Sequence, residues 1–182
     1  MRRGGALALA ALLACAPALG QAPAGLEDGL YQALRAAPDA EAAAAVENRL
    51  WAVWSASGSA TIDALLARAD ALGASEEPER AGVLHDDIVS LAPGFAEGWN
   101  RRAAFRFAEG DLSGAFSDLS MCLRLNPRHF GAWLGAGVIL EEWGEHEKAL
   151  AAYREALALH PTLSDALRGA RRMESAMSGV RA

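Results

Sequence analysis

Between residues 60 and 164, apolar, small and turn-forming positions recur with one period. Pro93, Pro127 and Pro161 stand 34 residues apart, as do Ala81, Ala115 and Ala149, and Leu91, Leu125 and Leu159. Trp99 and Trp133 keep the same interval, while Ala69, Ala103 and Gly137 put a small residue at one common register. Internal repetition at such a length is the mark of stacked supersecondary units, each unable to bury its apolar face alone. Upstream, Leu26, Leu30 and Leu34 fall at helical spacing, Pro38-Asp39 makes a turn and a helix start, and 40–55 sets Val46, Leu50, Val53 and Trp54 on one side of a second helix. Downstream, 164–177 continues the register with Leu167 and Ala170 but carries Arg168, Arg171 and Arg172, the polar outer face expected of a solubilising cap.

The columns resemble the tetratricopeptide repeat, a pair of antiparallel helices with a large residue at position four, small residues at eight and twenty, glycine near fifteen, an aromatic at twenty-four and proline at thirty-two. Residues 130–163 match best, with Trp133, Gly137, Gly144, Ala149, Tyr153 and Pro161. Residues 96–129 supply Trp99, Ala103, Gly110, Ala115 and Pro127, with Leu119 at the aromatic position. Residues 62–95 keep Leu65, Ala69, Ala81 and Pro93 but have Glu76 at the turn glycine and His85 at the aromatic position. The resemblance implies an all-α fold, a right-handed α-solenoid of three helix pairs. A degenerate pair over 26–59 would close one end and a capping helix over 164–178 the other, leaving 179–182 as a disordered tail. Trp99, Ala115, Pro127, Trp133, Gly137, Ala149, Tyr153 and Pro161 are then structural, the small residues letting helices approach and the large ones filling the gaps between pairs.

Composition agrees with helices and narrows the partner. The chain is 52% hydrophobic and 22% charged, and its many alanines favour helix over strand. A net charge of −6 argues against nucleic acid, whose binders cluster Lys and Arg to neutralise phosphates. The first twenty residues have a basic start at Arg2 and Arg3, an apolar run from Ala6 to Ala14, and Pro17 before the small-residue exit Ala18-Leu19-Gly20. This reads as a secretory signal peptide, followed by a flexible linker over 21–25, and predicts a periplasmic protein. Leu12-Leu13-Ala14-Cys15 also resembles a lipobox, which would make the protein a membrane-anchored lipoprotein acylated at Cys15. After removal of the leader only Cys122 remains, so no disulfide within the chain is possible.

Candidate chemistry is sparse. His85, Asp86 and Asp87 are adjacent on one helix and point in different directions, and no histidine pair has metal-ligand spacing, so no metal is expected. Gly135-Ala136-Gly137 has no strand before it and is no dinucleotide loop. No catalytic constellation and no cofactor are expected; the protein reads as a non-catalytic interaction module rather than an enzyme. Arg68 and Arg102 share repeat position seven, an apolar place in the family, and Arg106 also replaces an apolar residue. With Asp86, Asp87 and Asp118 they are expected to form a structural ion-pair row, the alternative being a basic strip for a ligand.

In proteins with this repeat the first helices line a concave surface. Carried over by position, that surface comprises Asp63, Leu66 and Asp70, then Glu97, Asn100, Ala104 and Phe107, then Leu134, Val138, Glu141 and Glu142, and finally Arg168 and Arg172. The lysines that clamp a terminal carboxylate in some members are absent here. The expected groove therefore has an apolar centre at Phe107, Leu134 and Val138, an acidic flank and a basic end, suited to a segment of another envelope protein. Alternatively these apolar residues pack against the protein's own N-terminal helices or a second copy. Two further readings are a structural part of an envelope assembly and an accessory of cytochrome c maturation.

Overall fold

The computed structural model describes residues 25–73 and 78–179. The leader, Cys15, most of the linker, Glu76 and the last three residues lie outside these. Among the described residues every regular element is a helix. They are α1 (Leu26–Ala36), α2 (Ala40–Ser55), α3 (Ala60–Gly73), α4 (Pro78–Leu91), α5 (Ala96–Ala108), α6 (Leu112–Leu125), α7 (Phe130–Glu142), α8 (His146–Leu159) and α9 (Ser164–Gly179). The pairs α3–α4, α5–α6 and α7–α8 stack in chain order and α9 covers the last, a helical-repeat solenoid.

Local chemistry sets the boundaries. Asp39 and Asp111 accept from the backbone N–H of Ala42 and Gly114, each satisfying a donor left free at a helix start. Gly110 and Gly144 turn the chain between the helices of the second and third pairs at φ 82° and 73°, where a side chain would be strained. The proline and tryptophan columns are joined by one recurring bond. The indole N–H of Trp99 donates to the carbonyl of Pro93 at 2.9 Å, and Trp133 repeats this with Pro127 at 2.9 Å. Each indole thus fastens a first helix to the turn that precedes it.

The principal core runs from Ala103 through Leu119, Cys122, Ile139 and Tyr153 to Met173. Ala81, Ala115 and Ala149 are fully buried, which accounts for their column. Gly137 faces Tyr153 so closely that a Cβ would lie 2.7 Å from the ring. Burial pushes the Cys122 thiol well above its ordinary range, so it behaves as a packed apolar group. A smaller cluster of Ile62, Leu66, Ala69 and Ile88 holds α3 against α4, with Phe95 packed on it ahead of α5.

One expectation is corrected. The pair α1–α2 does not close the first-repeat end of the solenoid; it lies along the turns entering α7 and α9. Leu30, Tyr31, Leu34, Leu50 and Trp54 are buried with Phe130, and Leu159 and Leu163 pack against them. Trp54 stacks on His129 at 4.2 Å, and Trp51 meets His129 and Phe130 edge-on at 5.4 and 5.6 Å. The hydroxyl of Tyr31 donates to the carbonyl of Arg128, whose guanidinium lies 3.9 Å over the Tyr31 ring and reaches Asp28 at 2.5 Å. The reason is chemical match: three large aromatic side chains find imidazole and phenyl faces at these turns. The outer face of α3 offers no aromatic group among the described residues, only Ala60, Thr61, Ala64, Leu65 and Arg68.

Candidate peptide-binding groove

The first helices of successive pairs, α5, α7 and α9, present the residues carried over to the concave surface. Their common face is marked by ion pairs that cross from one first helix to the next. Arg101 of α5 reaches Asp70 of α3 at 3.3 Å, and Arg172 of α9 grips Glu141 of α7 through two bonds of 2.6 and 2.8 Å. On α5, Ala104 is exposed and Phe107 leaves 40% of its surface open. On α7, Leu134 and Val138 are half-buried against the principal core, one side of each facing outward.

Several polar residues of this face are already engaged. Glu141 accepts from Arg172 and from the Tyr153 hydroxyl at 2.5 Å, and these bonds hold its carboxyl below the usual range. Burial and the neighbouring Glu141 raise Tyr153 in turn, so its hydroxyl stays a donor. Arg168 pairs with Asp165 one turn away. Glu141, Arg168 and Arg172 are therefore internally neutralised, Glu142 stays exposed at the flank, and the apolar residues of the face are Ala104, Phe107, Leu134 and Val138.

Asn100 donates to Glu97 at 3.0 Å, which removes it from the list of free groups. Glu97 is 1% exposed. It also accepts from Arg101 at 2.5 Å and lies 2.9 Å from Nε2 of His129. The other His129 nitrogen, Nδ1, accepts from the backbone N–H of Ala132 at 3.0 Å, so the imidazole proton sits on Nε2 and is donated to Glu97. Trp54 roofs this imidazole, and Trp51 covers Gly131, where a Cβ would lie 2.7 Å from the indole. The N-terminal pair thus covers the turn end of the concave face and leaves Phe107, beyond it, exposed. This Glu97–His129 network was missed by sequence reasoning. A histidine at an inter-repeat turn and the two tryptophans of α2 were its only traces.

The arginines at apolar positions divide. Arg102 bonds both oxygens of Asp118 at 2.8 Å and Asp86 at 2.8 Å, and stacks on Trp99. Arg106 adds a contact of 3.1 Å to the same Asp118. These bonds raise the Arg102 pKa, Asp118 first among them, and leave no free charge for a ligand. Asp87 is exposed and outside this group; Arg68 stands apart on the outer face of α3. Among the described residues no cluster of His, Cys, Asp and Glu could hold a metal, and no helix is long and apolar enough to cross a membrane.

Scanned against models of known protein families, the chain matches none. A TPR repeat-containing protein of Rhizobium etli is 36% identical over 136 residues, covering 74% of this chain. The chain spans 66% of that relative's length. Among solved structures, the Sgt2 TPR domain from Aspergillus fumigatus superposes with a TM-score of 0.63 at 21% identity, covering 68% of this chain and 83% of that one. The first TPR of Spaghetti bound to the HSP90 peptide SRMEEVD gives 0.62 at 19% identity, over 64% of this chain and 93% of that one. An Arabidopsis OM64 TPR domain gives 0.60 at 20%, over 63% and 95%.

Proposed function

The chain is a tetratricopeptide repeat protein, and from that premise we propose that it is a non-catalytic adaptor holding a segment of another protein on its concave face. The observation that carries this is the apolar surface on the face of α5 and α7 carried over to the groove: Phe107 at 40% exposure and Ala104 exposed on α5, Leu134 and Val138 half-buried on α7, with Arg101, Glu141 and Arg172 already held in ion pairs. Such a strip recognises apolar side chains of an extended or helical segment, not a carboxylate. The acidic peptide held by the Spaghetti domain is therefore a poor guide to the ligand here. Asn100 is tied to Glu97, and Glu141 is tied to Arg172.

The compartment in this proposal is the periplasm, supported by the leader-like first twenty residues. An anchored lipoprotein serving an envelope assembly is the second reading, supported by the lipobox-like Leu12 to Cys15. The mass of the mature N-terminus separates them: a start near Gln21 supports the free periplasmic form, an acylated Cys15 the anchored one. The adaptor reading is tested by a photo-crosslinking residue at Leu134 in cells. A single captured partner, lost with Phe107→Asp, is the expected result. Crosslinks only between copies of this chain would overturn it.

A further inference from the structure

With α1–α2 docked elsewhere, the first-repeat end of the solenoid is uncovered among the described residues. Ala60, Thr61, Ala64, Leu65 and Arg68 of α3, with Leu84 of α4, line an open hollow of about 610 Å³. The 34-residue period shows what such a face looks like when occupied. One unit on, Ala64, Leu65, Arg68 and Leu84 become Gly98, Trp99, Arg102 and Asp118, and α4 is seated against them. Ile88 approaches Gly98 so closely that a Cβ there would be 2.9 Å from its Cγ2. Two residues earlier, Asp86 bonds Arg102 at 2.8 Å.

Arg68 is the counterpart of Arg102 with both carboxylates missing. Its own second helix has Leu84 where Asp118 stands, and among the described residues no helix is seated on α3 as α4 is on α5 to supply the counterpart of Asp86. Exposed and lining the hollow, Arg68 pairs with no acidic side chain among the described residues. We propose that this end face docks a helix of a partner protein that carries an acidic residue against Arg68 and, two residues later, an apolar residue over Ala64. The partner helix occupies the place α4 takes on α5 and extends the solenoid by one layer. The face shares no residue with the concave strip, so the two proposals stand or fall separately.

Charge selects this occupant over the nearer ones. A two-fold contact through this hollow would pair its lining with itself, and Arg68 is the one charged residue of that lining. Head-to-tail stacking would bring α9 toward it, whose Asp165 and Glu174 are already taken by Arg168 and Arg154 while Arg171 is exposed. The chain's first 24 residues contain Arg2 and Arg3 and no Asp or Glu, so they cannot supply the carboxylate.

The test uses α4 as its own template. A fluorescent, helix-stapled peptide of residues 78–91 is titrated against the full chain by anisotropy. Saturable binding is expected, weakened about tenfold by Arg68→Glu and restored when that variant meets a peptide carrying Asp86→Arg. An unchanged thermal midpoint for Arg68→Glu shows that loss of binding is not loss of fold. Absence of saturable binding, or binding indifferent to Arg68→Glu, overturns the proposal. So does a concentration-dependent dimer abolished by Arg68→Glu, which would assign the face to a second copy.

Discussion

Arg102 shows how much a single side chain can carry in a small-residue core. Its partner Asp118 is 1% exposed, so removing the guanidinium leaves a buried carboxylate with only Arg106 nearby. Arg102→Leu is expected to lower unfolding free energy by about 3 kcal/mol; Arg102→Leu with Asp118→Leu recovers most of it, because neither charge is then stranded. Urea unfolding of both variants checks this, and a stable single variant would speak against the pair as a structural device. This row was legible in the sequence because arginine stood in an apolar column with aspartates on the neighbouring second helices. The Glu97–His129 bond was not legible. A carboxylate at a groove position and a histidine at a turn look solvated until the packing of two distant tryptophans is known.

At the scale of the helix, the repeats were readable and the N-terminal pair only half so. Columns at fixed spacing report contacts between neighbours, and α3 to α9 make such contacts. The pair α1–α2 is helical for local reasons that its leucine spacing and Asp39 reveal, but its destination is set by aromatic surfaces far along the chain, which no period encodes. Trp54 is the hinge of that docking, stacked on His129 and tilted against Phe130 at 5.1 Å. Trp54→Ala is expected to cost about 3 to 5 kcal/mol of local stability and to release the pair without melting the repeats. Hydrogen exchange should then show loss of protection confined to α1 and α2 and to the turn at His129. Uniform loss across α5 to α8 would contradict this.

Across the whole molecule, pH acts on two groups that folding perturbs in the same direction. Burial lowers the pKa of His85, which occupies the aromatic position of the first repeat and has Nδ1 unpartnered. Its contribution is present above the ordinary imidazole value of about 6.5 and is lost as pH falls, because the unfolded chain then binds a proton the folded one resists. Glu141, held low by Arg172, adds a second loss below about pH 4.3. Stability should therefore decline on acidification in two stages. Substituting His85→Phe should flatten the upper stage and leave the lower, as read from urea midpoints between pH 7.5 and about 3.5. A wild-type midpoint constant from pH 7.5 to 5 would contradict it.

The docked N-terminal pair also decides when the molecule can be finished. A solenoid of neighbouring contacts can assemble piecewise from any point along the chain. Here Tyr31 bonds to Arg128 across 97 residues and Glu47 to His160 across 113, loops that must close before those contacts exist. The helices α1 and α2 thus cannot dock until the turns entering α7 and α9 have been made. Until those turns exist, an apolar, aromatic hairpin stands without its seat.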